Sequence, residues 1–279
     1  MSAESSSHSA NTRAAYVRDW RHYAGWCRRR GLEPLPPDPR QIGLYLTTQA
    51  APGGEDDAPA LSATTIERRL AGLAWNFAQR GFSFDRGDSH VAEAIADIRR
   101  RARPPAAKEP VRAEDLLAML GTLSHDLRGL RDRAILLIGF AGGLRRSEIT
   151  GLDLRQGDSA DGMGWVAIQE KSVLVTLAGP SGPRTIEIPR GPSERSCPVA
   201  ALERWIRFSR IVRGPLFRRI LRDGKTIGNE RLNDRHVARL VKQTALAAGI
   251  RADLAEEARS ARFAGQSLRA GNRRPRLPI

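Results

Sequence analysis

Two arginines lie far apart in the chain but in similar settings. Arg145 stands in Gly143-Leu144-Arg145-Arg146-Ser147-Glu148 and Arg269 in Gln266-Ser267-Leu268-Arg269-Ala270-Gly271, each directly after a leucine in a helix-compatible context. A guanidinium is planar, permanently charged and forked, so it meets phosphate oxygens with better geometry than an ammonium group. Glu148 follows Arg145 by three residues, on the same helical face, where its carboxylate can hold the guanidinium in place. An isolated Arg-x-x-Glu is usually no more than a solvated ion pair; the second arginine motif is what turns it into a candidate phosphate site. Three residues before Arg269 stands Gln266, whose amide can donate a hydrogen bond but cannot titrate.

The charge balance points to a polyanion. With 46 Lys+Arg against 31 Asp+Glu the chain carries +15, a field that attracts phosphates and makes nucleic acid the first candidate partner. Residues 1–110 hold 16 basic against 13 acidic side chains, net +3, and residues 111–279 hold 30 against 18, net +12. The excess therefore sits in the half that contains both arginine motifs. Lysines are few: Lys108, Lys171, Lys225 and Lys242. Cys27 and Cys197 have no paired spacing, which gives neither a disulfide framework nor a metal site, and a reducing cytoplasm fits. The polar, Ser-rich Met1 to Asn11 has no apolar segment of the secretory kind. The apolar run Ala134 to Leu144 falls short of the roughly 20 residues of a membrane span and reads as a buried helix.

The elements that must position these side chains follow from periodicity. Tyr16, Trp20, Tyr23 and Trp26 recur at helical spacing within Thr12 to Arg30, which ends at Gly31 before Pro34-Leu35-Pro36-Pro37. Asp38 caps a second helix with Pro39 at its first position and Ile42, Tyr45 and Leu46 inward. Ala51 to Pro59 reads as a loop. Ser62 or Thr64 opens a third helix through Ile66, Leu70, Leu73 and Phe77, and a fourth spans Ser89 to Arg101. The proline-rich 103–110 segment reads as an extended linker. Beyond it come helices around Leu116 to Leu120 and Arg131 to Phe140. Two alternating runs, Val166 to Leu177 and Ile186 to Ile188, flank a turn at Gly179 to Pro183, then helices resume at Val199 to Val212 and after Asn233. The expected fold is mainly α with a small antiparallel β-sheet.

This layout, with the Gly-Leu-Arg-x-Ser-Glu and Ser-Leu-Arg-Ala-Gly motifs, resembles the tyrosine recombinases of the phage-integrase family. The resemblance implies a disordered N-terminus at 1–11, a helical core-binding domain at 12–102, a linker at 103–110 and a catalytic domain at 111–271, the two domains closing as a clamp on duplex DNA. It implies that Arg145 and Arg269 grip the scissile phosphate with Glu148 in support, and that DNA is broken and rejoined during recombination or integration of mobile elements with no metal or other cofactor. Gln266 occupies the position where the family usually has histidine. The family's hairpin lysine is missing from Gly179 to Pro183, leaving Lys171 as the one nearby substitute, with an exposed strand-end lysine as the alternative reading.

The family's nucleophile is a tyrosine downstream of the second arginine. Here the only tyrosines are Tyr16, Tyr23 and Tyr45, so no residue is assigned as nucleophile. Two prolines and three arginines in 272–279 break the helical pattern, which predicts a truncated or frameshifted catalytic domain with a basic, disordered tail. Arg13, Arg18, Arg68, Arg69, Arg146 and His236 are the expected DNA-backbone contacts, a solvated surface being the alternative for each. The functional expectation is a cytoplasmic, nucleoid-associated DNA-binding recombinase that cannot complete its reaction as this chain. The alternatives are a non-catalytic protein that occupies recombination sites, alone, as a homo-oligomer or with an intact recombinase, and a decayed, poorly folding gene product. No membrane association is expected.

Overall fold

In the computed structural model, which describes residues 10–51, 60–102, 107–179 and 182–272, the chain divides into two units, Met1–Pro105 and Ala106–Ile279. The first consists of α1 (Ala10–Arg29), α2 (Pro39–Ala50), α3 (Ala63–Ala78) and α4 (Ser89–Arg101). Their starts are set by local chemistry. Asp38 accepts from the backbone N–H groups of Arg40 and Gln41, with Pro39 already holding a helical φ, and Ser62 accepts from Thr65. Helix α1 packs on α3 and α2 on α4. The aromatic stripe points inward, where Tyr23 stands edge-on to Tyr45 at 5.1 Å and to Phe77 at 6.2 Å. At Gly43 a Cβ would come within 2.9 Å of the His90 carbonyl oxygen, so α2 and α4 approach more closely than a side chain would allow.

The second unit contains α5 (Ala113–Gly121), α6 (Leu127–Ala141), α7 (Arg146–Thr150), α8 (Pro198–Ser209), α9 (Asp234–Ala247), α10 (Glu256–Arg262) and α11 (Gly265–Asn272). Strands β1 (Leu152–Asp153), β2 (Gly164–Ile168), β3 (Ser172–Leu177) and β4 (Arg184–Pro189) form one sheet in that order. The pairs β2/β3 and β3/β4 are antiparallel, as the alternating pattern predicts, but β1 runs parallel to β2 and makes the sheet mixed. A separate ribbon, β5 (Arg218–Ile220) with β6 (Ile227–Arg231), was not anticipated. Its strands lack apolar alternation. The readable signal was Asp223-Gly224 between them: Asp223 accepts from the N–H groups of Lys225 and Thr226, and Gly224 takes φ +73°.

Ile135, Leu136, Leu137 and Ile138 of α6 are buried, together with Trp205 of α8 and Val237, Leu240 and Val241 of α9. Fully burying each of these stabilises by about 1.5–3 kcal/mol before entropy is counted. The end of the expected linker is not a free spacer. Glu109 donates its N–H to Arg262 at 2.9 Å and Val111 to Ser267 at 2.9 Å, so the start of the unit is stitched to α10 and α11 at its end. Helix α1 also starts within the N-terminal stretch 1–11 expected to be disordered, and α11 runs on through Asn272. Residues 1–9, 52–59, 103–106, Pro180 and Ser181 at the hairpin tip, and 273–279 of the expected tail lie outside the described residues. Among the described residues no helix is long and apolar enough to cross a membrane.

Candidate functional site

The Gly-Leu-Arg motif is the way α6 ends. Gly143 takes the left-handed conformation at φ +58°, and the N–H groups of Gly143 and Leu144 return to the carbonyls of Phe140 and Gly139 at 3.2 and 3.0 Å. This is the reversal that satisfies the last carbonyls of a helix. Leu144 is then fully buried, which pins the next residue, Arg145, at the start of α7. Glu148 turns back within that helix: its Oε2 accepts the Arg145 backbone N–H at 2.7 Å and its Oε1 the Arg145 guanidinium at 2.8 Å. The same Oε1 accepts from Arg184 Nη2 at 2.9 Å. Glu148 keeps only 9% of its side chain exposed, whereas Arg145 and Arg184 keep 58% and 52%. A buried carboxylate thus lies beneath two half-exposed cations.

Helix α11 brings the second motif to the same place. A Cβ on Gly265 would lie 3.2 Å from the Arg146 Cβ, and one on Gly143 would lie 3.4 Å from the side chain of Asn272. Asn272 also donates to the carbonyls of Phe140 and Ala141, both at 2.7 Å. Gly265, Arg269 and Asn272 are spaced i, i+4 and i+7, so the half-buried Arg269 stands on the face of α11 turned toward the 143–146 segment. The rest of the motif seats the helix. Leu268 is fully buried against Gly139, where a Cβ would be 3.3 Å from its Cδ1, and at Gly271 a Cβ would fall 1.9 Å from the Val111 carbonyl oxygen. Gly271, two residues after Arg269, is therefore a packing requirement.

The other expected site residues are distributed differently. Gln266 is exposed on the first turn of α11. Lys171 is exposed in the β2–β3 turn, its carbonyl accepting from Arg190 N at 2.8 Å, at the end of the sheet opposite Arg184. Six residues of strand separate the two ends, about 20 Å at the usual rise. Arg68 and Arg69 lie on α3. Both converge on buried Asp19, which Arg68 grips with two nitrogens, and Arg69, only 16% exposed, also donates to Tyr45 Oη and Gln49 Oε1. Arg146 pairs with Asp234 at 2.9 Å. His236 is engaged inside the unit, its Nε2 3.0 Å from Asp132 Oδ1 and 3.1 Å from Nη2 of buried Arg131. Arg13 and Arg18 are exposed on α1. Arg184 escaped notice although it is the only basic residue between Lys171 and Arg190 and the first after the Gly/Pro turn. Among the described residues no group of three or more His, Cys, Asp or Glu could hold a metal ion.

Burial works to raise the Glu148 carboxyl, but hydrogen bonds from the Arg145 backbone and from the Arg145 and Arg184 side chains outweigh it and hold the group below its usual value of 4.5. A carboxylate depressed on folding stabilises fully above its unfolded value and loses that contribution as pH falls through the folded one. Glu148→Gln should therefore cost about 1–3 kcal/mol at neutral pH, and the gap between the two proteins should close below pH 4.5. Unfolding curves across that range check this; a gap that persists in acid contradicts it.

No family model matches the chain. It is 32% identical over 271 residues to an integrase/recombinase XerD homolog of Selenomonas ruminantium, covering 94% of this chain and 72% of that protein. It is 29% identical over 198 residues to the tyrosine recombinase XerC of Pseudomonas fluorescens, covering 71% of this chain and 58% of that one. Among solved structures the fold resembles XerH site-specific recombinase bound to difH substrate in a pre-cleavage complex, with a TM-score of 0.53 at 14% identity over 94% of this chain and 67% of that chain. A post-cleavage XerH complex gives 0.52. With its two arginine motifs on adjoining segments of a mainly helical second unit, the chain belongs to the tyrosine recombinase family.

Proposed function

We propose that the chain binds duplex DNA in the manner of a site-specific recombinase of the tyrosine class, holding a backbone phosphate between Arg145 and Arg269 while Glu148 fixes Arg145, and that these 279 residues do not complete strand exchange alone. The observation that carries the reading is the face of α11 on which Gly265, Arg269 and Asn272 lie along the 143–146 segment. The +12 balance of residues 111–279 supports a polyanionic partner. On this reading the protein acts where DNA is, in the cytoplasm and on the nucleoid.

A second reading is a non-catalytic occupant of recombination sites, as a homo-oligomer or beside an intact recombinase. It is favoured by the place of the tyrosines, since Tyr16, Tyr23 and Tyr45 all belong to the apolar interior of the first unit. Both readings require phosphate binding. Arg145→Ala and Arg269→Ala should each weaken duplex binding across sequences and lower the steepness of the salt dependence by about 0.9, the share of one phosphate contact. Equal retention of wild type and both variants on DNA at low and high salt rejects them together.

A further inference from the structure

We propose that Arg184 is a third phosphate-binding residue of this site, acting beside Arg145 from the first rung of β4. The inference rests on the DNA-binding reading above and extends it to a residue outside the two arginine motifs. Arg184 and Arg145 donate to the same oxygen of Glu148, at 2.9 and 2.8 Å, so one buried carboxylate oxygen separates two guanidiniums that are both half-exposed. Like charges held side by side repel, and a single carboxylate neutralises one of them. These three groups keep a net positive charge, to which Arg269 adds on the reading above, so an anionic phosphodiester is favoured. Each guanidinium commits one nitrogen to Glu148, which leaves forked N–H groups for an anion.

Arg231, by contrast, engages all three of its nitrogens within the unit and is only 14% exposed, the signature of a structural cation. The position of Arg184 is also fixed. Its backbone pairs with Leu177 at the base of the β3–β4 hairpin, and on the next rung Thr176 and Thr185 join their hydroxyls at 3.0 Å. A guanidinium on a paired strand, held by a buried carboxylate, is set before any ligand arrives, which lowers the ordering cost of binding. Arginine is permanently protonated, so its contribution here is charge and geometry and not proton transfer.

The test is a salt titration of binding to a mixed-sequence duplex with the full chain and the variants Arg145→Ala, Arg184→Gln and Arg184→Lys, each with a thermal melt. Arg184→Gln retains a donor for Glu148 and keeps the protein folded. It should lower the slope of log affinity against log salt by about 0.9, and Arg184→Lys, which restores the charge, should restore the slope. The double variant Arg145→Ala/Arg184→Gln should lose about twice as much. If Arg184→Gln shifts the melt but keeps the wild-type slope while Arg145→Ala loses its share, or if lysine fails to restore the slope, Arg184 serves only to neutralise Glu148 and the proposal is overturned. If neither Arg145→Ala nor Arg184→Gln changes the slope, the DNA-binding reading falls with it.

Discussion

A polypeptide of these 279 residues should leave no denaturation-resistant protein–DNA adduct on a nicked suicide duplex, the substrate that traps a covalent 3′-phosphotyrosyl intermediate. Guanidiniums polarise a phosphate; they do not attack it. Covalent catalysis needs an oxygen nucleophile within about 3 Å of phosphorus and a means of removing its proton. The three tyrosines of the sequence are packed inside the first unit. Tyr23 and Tyr45 are fully buried and Tyr16 is 9% exposed in the interior of the four-helix unit. Burial pushes the Tyr45 hydroxyl up to about 12 and the Tyr23 hydroxyl higher still. Delivering Tyr23 or Tyr45 to a phosphate at Arg145 means unpacking the aromatic core that includes Trp26 and Phe77, several kcal/mol per large side chain, and Tyr16 is packed against Trp75. Ser267 is no substitute, being fully buried with its Oγ accepting from Ala264 N at 3.0 Å. The measurement is a denaturing gel followed by peptide mapping of purified protein. A labelled peptide containing Tyr16, Tyr23, Tyr45 or Ser267 would sink the prediction, whereas an adduct seen only when an intact relative is added would mark a nucleophile supplied in trans.

The second large effect is expected from Arg231→Ala, about 3–5 kcal/mol of destabilisation in the second unit, because it leaves a buried carboxylate without its cation. Arg231 donates to Asp153 at 2.8 Å, and Asp153 keeps 3% of its side chain exposed. The same guanidinium accounts for the carbonyls of Thr150 and Leu152 at 2.9 and 3.1 Å, the residues at which α7 ends and β1 begins. Removing it therefore loosens the back of the helix whose front carries Arg145, and DNA affinity should fall although Arg231 is turned away from solvent. Arg146→Ala is the control. Its pair with Asp234 is half-exposed, and screened surface pairs contribute less than about 1 kcal/mol. Hydrogen-exchange protection of the β2 and β3 amides is the measurement suited to a chain of two units; similar losses for the two variants would count against a buried role for Arg231.

What the sequence by itself determined is everything that neighbours along the chain decide. Asp38-Pro39, Ser62 and Asn233 mark helix starts because a cap is made within three residues. The stripe of Tyr16, Tyr23 and Trp26 names the buried face of α1 because a helix returns to the same side about every 3.6 residues. Gly143 and Gly271 could be read as motif residues, but their physical roles, a left-handed helix end and room for the Val111 carbonyl, needed the packed structure. Only tertiary structure decided which charges meet. Periodicity turns Arg68 and Arg69 away from the α3 core, yet Asp19 waits there on α1, forty-nine residues from Arg68 in the chain. The β-register carries Lys171 to the far end of the sheet and sets Arg184 over Glu148, thirty-six residues away. A guanidinium on a long flexible stem pairs with whichever carboxylate the fold brings within reach, and that choice is made by strand order and helix packing, which leave no trace in the spacing of the residues themselves.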